Sequence, residues 1–179
     1  AQINLAKNHM GAYFDPRQQG WISTPEGPKA IADAICVSAA FLSPPRQASL
    51  TECGLSGNHL GKEGWGAIFR ALRDNPQNKI AKWELAGQKI DAEIAKSLAA
   101  YMTISKSLTK RDLGGNNIGH RGAAAIGEGL KVNASLTELY LEGNQIRDVG
   151  ATKIGEALKV NRSLKEVRVA SAHTRSHLT

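Results

Sequence analysis

The sequence predicts an α/β fold: a curved stack of strand–helix units, a horseshoe arc with parallel strands on its concave face and helices on its convex face. Three observations predict it. Residues 108–135 and 136–163 align without a gap at a spacing of 28, placing Leu113 on Leu141, Asn116 on Asn144, Gly122 on Gly150 and Leu130 on Leu158. Each unit joins a short LxxLxL run, whose alternation suits a strand, to GxxxIxxxL, whose i, i+4 spacing suits one face of a helix. Strands in a sheet lie about 4.8 Å apart and packed helices about 8–10 Å, so the helix layer is the longer one and the stack must curve.

The elements follow in order within one domain, residues 1–179. A partial first repeat spans 1–49, with Ile3 and Leu5 in its strand. It carries an insertion at 11–25, holding Tyr13, Phe14, Trp21 and Ile22. Its helix is expected in PEGPKAIADAI, where Gly27, Ile31 and Ile35 match Gly64, Ile68 and Leu72 of the next unit. A second insertion occupies 39–49, with Phe41, Leu42 and Pro44–Pro45. Full repeats follow at 50–79, 80–107, 108–135 and 136–163. The first has two extra residues after Asn75, and the second has Gln88 where the others carry Asn. Residues 164–179 form a partial terminal repeat, opened by Leu164, Val167 and Val169. No single unit can bury both its strand and its helix, so neighbours must stack.

Two sets of Asn have mechanical roles. Asn8, Asn58, Asn116 and Asn144 fall where the strand turns toward the helix, and an Asn side chain offers that turn both a donor and an acceptor. Gly57, Gly87, Gly115 and Gly143 stand just before this position, where little bulk is expected to fit. Asn75, Asn133 and Asn161 follow the helices, where a left-handed backbone conformation is expected. Arg111 occupies the inward strand position held elsewhere by Cys53, Trp83, Leu139 and Val167. A buried charge there predicts an acidic partner such as Asp112, or a buried stem with its head snorkelling to water.

Composition narrows the function. The formal net charge is +7, with 7 basic and 6 acidic residues in 1–78 and 16 and 10 in 79–179. Bases and acids are interspersed with no run of four bases, which reads as solvated surface. No apolar run approaches the ~20 residues of a membrane span. No signal-peptide pattern precedes the first strand, and two cysteines, Cys36 and Cys53, are too few for a disulfide scaffold. An intracellular setting is expected, the compartment left open. No nucleophile–base–acid set, P-loop or dinucleotide fingerprint occurs, so no enzyme and no cofactor is predicted. His173 and His177 lack accompanying ligands for a metal, and Asn133 and Asn161, though in glycosylation-type sequons, are read as turn residues.

The units SLTELYLEGNQIRDVGATKIGEALKVN and GAAAIGEGLKVNASLTEL resemble the leucine-rich-repeat family, in its 28-residue, ribonuclease-inhibitor-like form. Similar repeats occur in NOD-like receptors, Ran GTPase-activating protein and large protist and algal leucine-rich proteins. The resemblance implies a right-handed horseshoe and binding rather than catalysis. Ribonuclease inhibitor itself is acidic and cysteine-rich, so its ligand is not expected for this basic chain.

The expected function is a non-catalytic protein–protein interaction module, a scaffold or a subunit of a larger assembly. The alternatives are a GTPase activator of the Ran type and a basic structural subunit of a ribonucleoprotein or other large complex. On the concave face only Tyr140 and Arg168 offer the aromatic or Arg anchors of strong interfaces, with Glu138, Glu142 and Asp112 around them. The second candidate surface is N-terminal: Trp21 in the insertion, with Trp65 and Phe69 at i, i+4 on a helix. There the insertion either buries the rings or shares them with a partner. The partner is another protein of unknown identity; nucleic acid is a weaker candidate. The first strand opens at Gln2–Leu5 without a cap, so its edge is expected to be covered by further repeats or another subunit.

Overall fold

The computed structural model describes residues 2–4, 12–23, 26–32, 52–55, 58, 60–75 and 78–169. Six short strands form one parallel sheet: β1 (Gln2–Asn4), β4 (Glu52–Gly54), β5 (Lys82–Glu84), β6 (Lys110–Asp112), β7 (Glu138–Tyr140) and β8 (Glu166–Arg168). Each pairs with the next in register, Lys82 with Lys110, Lys110 with Glu138 and Glu138 with Glu166, so the 28-residue spacing becomes one step across the sheet. From β4 to β5 the step is 30 residues, as the two extra residues require, because Glu52 faces Lys82.

Between the strands run α1, described over 26–32, and α2 (Gly61–Asp74), α3 (Ala92–Ile104), α4 (Gly119–Val132) and α5 (Arg147–Leu158). They pack in chain order, α2 on α3, α3 on α4 and α4 on α5. The core lies between the two layers. Leu85, Leu113 and Leu141 fill it from the strand side, and Leu98, Ile126, Leu130 and Ile154 from the helix side, all at most 1% exposed. The first insertion holds an antiparallel hairpin, β2 (Ala12–Asp15) with β3 (Gly20–Ser23), an element the sequence reading does not anticipate. The second insertion, 39–49, and the tail from 170 onward lie outside the described residues.

The first Asn ladder forms at Asn116 and Asn144 as expected, while Asn58 bonds the Leu55 carbonyl of its own turn and Asn8 lies outside the described residues. The Asn116 amide donates to the carbonyls of Leu85 (2.8 Å) and Leu113 (2.9 Å), and its Oδ1 accepts from Ile90 N–H (3.0 Å). Asn144 repeats this one unit on, donating to Leu113 (2.7 Å) and Leu141 (3.0 Å). Each Asn thus ties its own turn to the preceding one. Gln88 breaks the ladder: its amide reaches only the Ala86 carbonyl, and its Oε1 is buried without a partner. The preceding glycines serve conformation rather than space. Gly87 has φ +65° with nothing within 4 Å of a would-be Cβ, so the left-handed backbone is the requirement.

The second Asn set corrects the sequence reading. Asn133 is extended, φ −73° and ψ 130°, and Asn75 also has a negative φ. At Asn133 and Asn161 the side chain is used instead. The Asn133 amide bonds the Met102 carbonyl (2.8 Å) in the preceding repeat, while its Oδ1 accepts from Leu136 N–H (2.8 Å). Asn161 does the same with the Leu130 and Asn133 carbonyls. Bridging two repeats needs a side-chain donor and acceptor, which a left-handed cap would not supply.

Candidate functional site

Side chains alternate along each strand, so the residues flanking a buried position face away from the helices. On β6 Arg111 is buried while Lys110 and Asp112 are half-exposed; on β7 Leu139 is buried while Glu138 and Tyr140 are half-exposed. Parallel pairing then lines up Lys110, Glu138 and Glu166 in one row and Asp112, Tyr140 and Arg168 in the next.

Tyr140 is the hub of these rows. Its hydroxyl donates to Glu138 Oε2 at 2.8 Å, with Glu166 Oε2 at 3.3 Å as a second acceptor. Lys110 Nζ lies 5.0 Å from the ring centroid and Arg168 Cζ 4.8 Å. The cations are themselves fixed: Lys110 pairs with Glu138 (2.7 Å) and Arg168 Nε with Glu166 (2.7 Å). Two carboxylates therefore hold the hydroxyl and two cations hold the ring. The titrations reflect this. The Lys110 bond, then the Tyr140 hydroxyl, hold Glu138 below the usual carboxylate range. The Glu138 bond raises Lys110 and Tyr140, and the Glu166 bond raises Arg168.

Of the residues singled out from sequence, Tyr140, Glu138 and Arg168 meet in this cluster. Asp112 sits beside Tyr140 in register, but its Oδ1 is engaged by Gly114 N–H at 3.0 Å. Glu142 is half-buried one step beyond the strand. Lys110 and Glu166 were missed, although their 28-residue offset from Glu138 was the available signal. Trp65 and Phe69 belong elsewhere. They are 0% and 1% exposed, stacked at 5.5 Å, with Trp83 edge-on to Trp65 at 6.5 Å. These rings fill the core and present no surface to a partner. α1 lies against the same helix, its Pro28 beside Gly64 of α2. Trp21 pairs in register with Phe14 in the hairpin, and the burial of its side chain lies outside the described part.

Arg111 overturns both of its expectations. It is fully buried, so it does not snorkel, and none of its three side-chain nitrogens has a hydrogen-bond partner. Its guanidinium instead stacks with the rings of Trp83 and Tyr101, 5.6 Å from each centroid. Burial pulls its pKa down to about 9, with Tyr101 opposing the shift. Cys53, at the same strand position two repeats earlier, is a free buried thiol pushed up to about 11 by desolvation, unsuited to nucleophilic work. Among the described residues no three His, Cys, Asp or Glu side chains gather as a metal site would need. No described helix is long and apolar enough to cross a membrane.

Residues 105–127 and 132–155 match the family model for leucine-rich repeats. No curated protein sequence matches the chain. Among solved structures, actin-binding site 2 of leiomodin-1 is similar over 83% of this chain and 80% of its own, at 21% identity and a TM-score of 0.62. The tropomodulin C-terminal domain of Caenorhabditis elegans is similar over 80% and 84%, at 16% identity and a TM-score of 0.58. Both share the fold of alternating parallel strands and helices described above.

Proposed function

We propose that this protein is a leucine-rich-repeat protein acting as a non-catalytic protein-binding module, a scaffold or a subunit of a larger assembly, and that it binds through the sheet face centred on Tyr140. The observation that carries the reading is the prearranged ring. An interface anchor costs affinity when its rotamers must be frozen on binding, and here Glu138, Glu166, Lys110 and Arg168 already hold the Tyr140 side chain. The similar leiomodin-1 structure is described as an actin-binding site, which makes actin the first partner to try. No feature of the cluster favours GTPase activation or ribonucleoprotein assembly.

The test is site-specific photo-crosslinking in extract and with purified actin. A crosslinker at position 142 beside the cluster should trap a discrete protein, and Tyr140→Ala should abolish the adduct. A crosslinker at position 152 on α5 serves as the control. Adducts confined to position 152, or unaffected by Tyr140→Ala, would overturn the assignment of the sheet face.

A further inference from the structure

The chain's positive charge is not spread as it is in the sequence. Parallel strands joined by returning helices bring the C-termini of α2 to α5 and the N-termini of β5 to β8 to one edge of the stack. That edge carries Lys79, Lys106, Lys131, Lys159, Arg162 and Lys165. Lys131 is half-exposed and the other five are exposed. Among the described residues the carboxylates at this edge are all paired: Asp74, the last residue of α2, with Arg73 at 3.0 Å, and Glu52, Glu138 and Glu166, the first residues of β4, β7 and β8, with Lys82, Lys110 and Arg168. The acids one turn back into the helices, Glu128 and Glu156, are held by Lys131 and Lys153. The opposite edge is balanced, with Glu63, Asp91 and Asp148 among its bases.

Bases in the last helical turn suit the helix dipole, and that accounts for Lys131. It does not account for Lys79, Lys106, Arg162 and Lys165, which lie in the connections. The same edge also exposes a row of aliphatic side chains. Ile104 and Val132 end α3 and α4 and Val160 lies two residues past α5; they are 39%, 62% and 57% exposed. They stand 28 residues apart, so each sits one repeat from the next. Helix spacing of about 8–10 Å makes the row roughly 20 Å long.

We infer that this edge docks on an anionic phospholipid membrane surface. Protein interfaces deplete Lys and concentrate aromatic residues and Arg, whereas this edge sets five lysines and one arginine beside Val and Ile. Nucleic acid would use the cations but gain nothing from aliphatic knobs, since single strands stack on aromatic rings. A bilayer of anionic headgroups uses both: its surface potential attracts the cations, and the headgroup–acyl boundary takes the apolar tips. None of the bases or aliphatic residues named on this edge belongs to the Tyr140 cluster, so the two assignments are tested by different variants.

Cosedimentation of the 1–179 chain with vesicles tests this. Phosphatidylcholine vesicles containing about a third phosphatidylserine are compared with phosphatidylcholine alone at low and physiological salt. Binding is expected only with phosphatidylserine and should weaken with salt. Lys106→Glu, Lys159→Glu and Arg162→Glu combined should lower affinity at least roughly a hundredfold. Ile104→Ser, Val132→Ser and Val160→Ser, all exposed and expected to leave the fold unchanged by circular dichroism, should lower it about tenfold or more. Absence of binding to anionic vesicles overturns the inference. So does a serine variant that binds like the parent while duplex DNA displaces the vesicles, because the edge would then be a general polyanion site.

Discussion

The Arg111 guanidinium lies 5.6 Å from the ring of Trp83, its in-register neighbour on β5, and no carboxylate or carbonyl accepts its hydrogens. Tyr101 of α3 is as close to it, so the charge rests on aromatic faces alone. The indole N–H groups of Trp65 and Trp83 are also buried without acceptors. Stacking recovers about 2 kcal/mol or more per desolvated contact, which is less than a buried ion loses.

Arg111→Met therefore removes more cost than contact. It keeps most of the volume and sets a polarizable sulfur against the two rings. The variant should be about 1–3 kcal/mol more stable by urea denaturation, with an unchanged m-value. A lower midpoint would show that the cation–aromatic stack outweighs its desolvation.

The ladder amides make the opposite case. Asn144→Ala strips donors from the Leu113 and Leu141 carbonyls and an acceptor from Ile118 N–H, all inside the turn column. The loss should be roughly 1–3 kcal/mol. Gln88→Ala touches only one carbonyl and removes an unpaired oxygen, so it should cost less. Equal losses for both would contradict the ladder as the source of the effect.

Two glycines at equivalent helix positions should respond in opposite ways. A Cβ on Gly127 would stand 2.8 Å from the Lys153 carbonyl oxygen of α5, so Gly127→Ala must push two helices apart. Its expected cost is about 1–3 kcal/mol. A Cβ on Gly155 meets nothing within 4 Å, and Gly155→Ala should gain about 1 kcal/mol of helix propensity. Thermal unfolding of the two variants side by side checks the contrast, and a matching sign for both would refute it.

The Tyr140 cluster should add a carboxylate to the chain's acid sensitivity. Glu138 titrates below the usual range in the fold because Lys110 and Tyr140 bind its charged form. Its contribution is then complete above the unfolded glutamate value of about 4.3 and is lost as pH falls through the lower, folded value. Glu138→Gln should flatten the fall of the denaturation midpoint below about pH 4.3. A parallel acid profile in parent and variant would show that the cluster does not hold Glu138 in solution.

Much of this protein was determined by spacing along the chain. The strand–helix alternation, the Leu columns and the Asn116 and Asn144 ladder all follow from a 28-residue period, because alternation and i, i+4 spacing already decide which side chains point inward. Tertiary structure alone decided what those positions meet. One repeat along the chain becomes one step across the sheet, so Lys110 and Glu166, each from a neighbouring strand, meet the same tyrosine as Glu138 on its own strand. The same step gathers Lys106, Lys131 and Lys159, interspersed with acids in sequence, onto one edge. Arg111 shows the limit most sharply. Its inward position was legible from the strand pattern, but its neighbours come from a different strand and from a helix, and only their packing replaces the expected carboxylate with two rings.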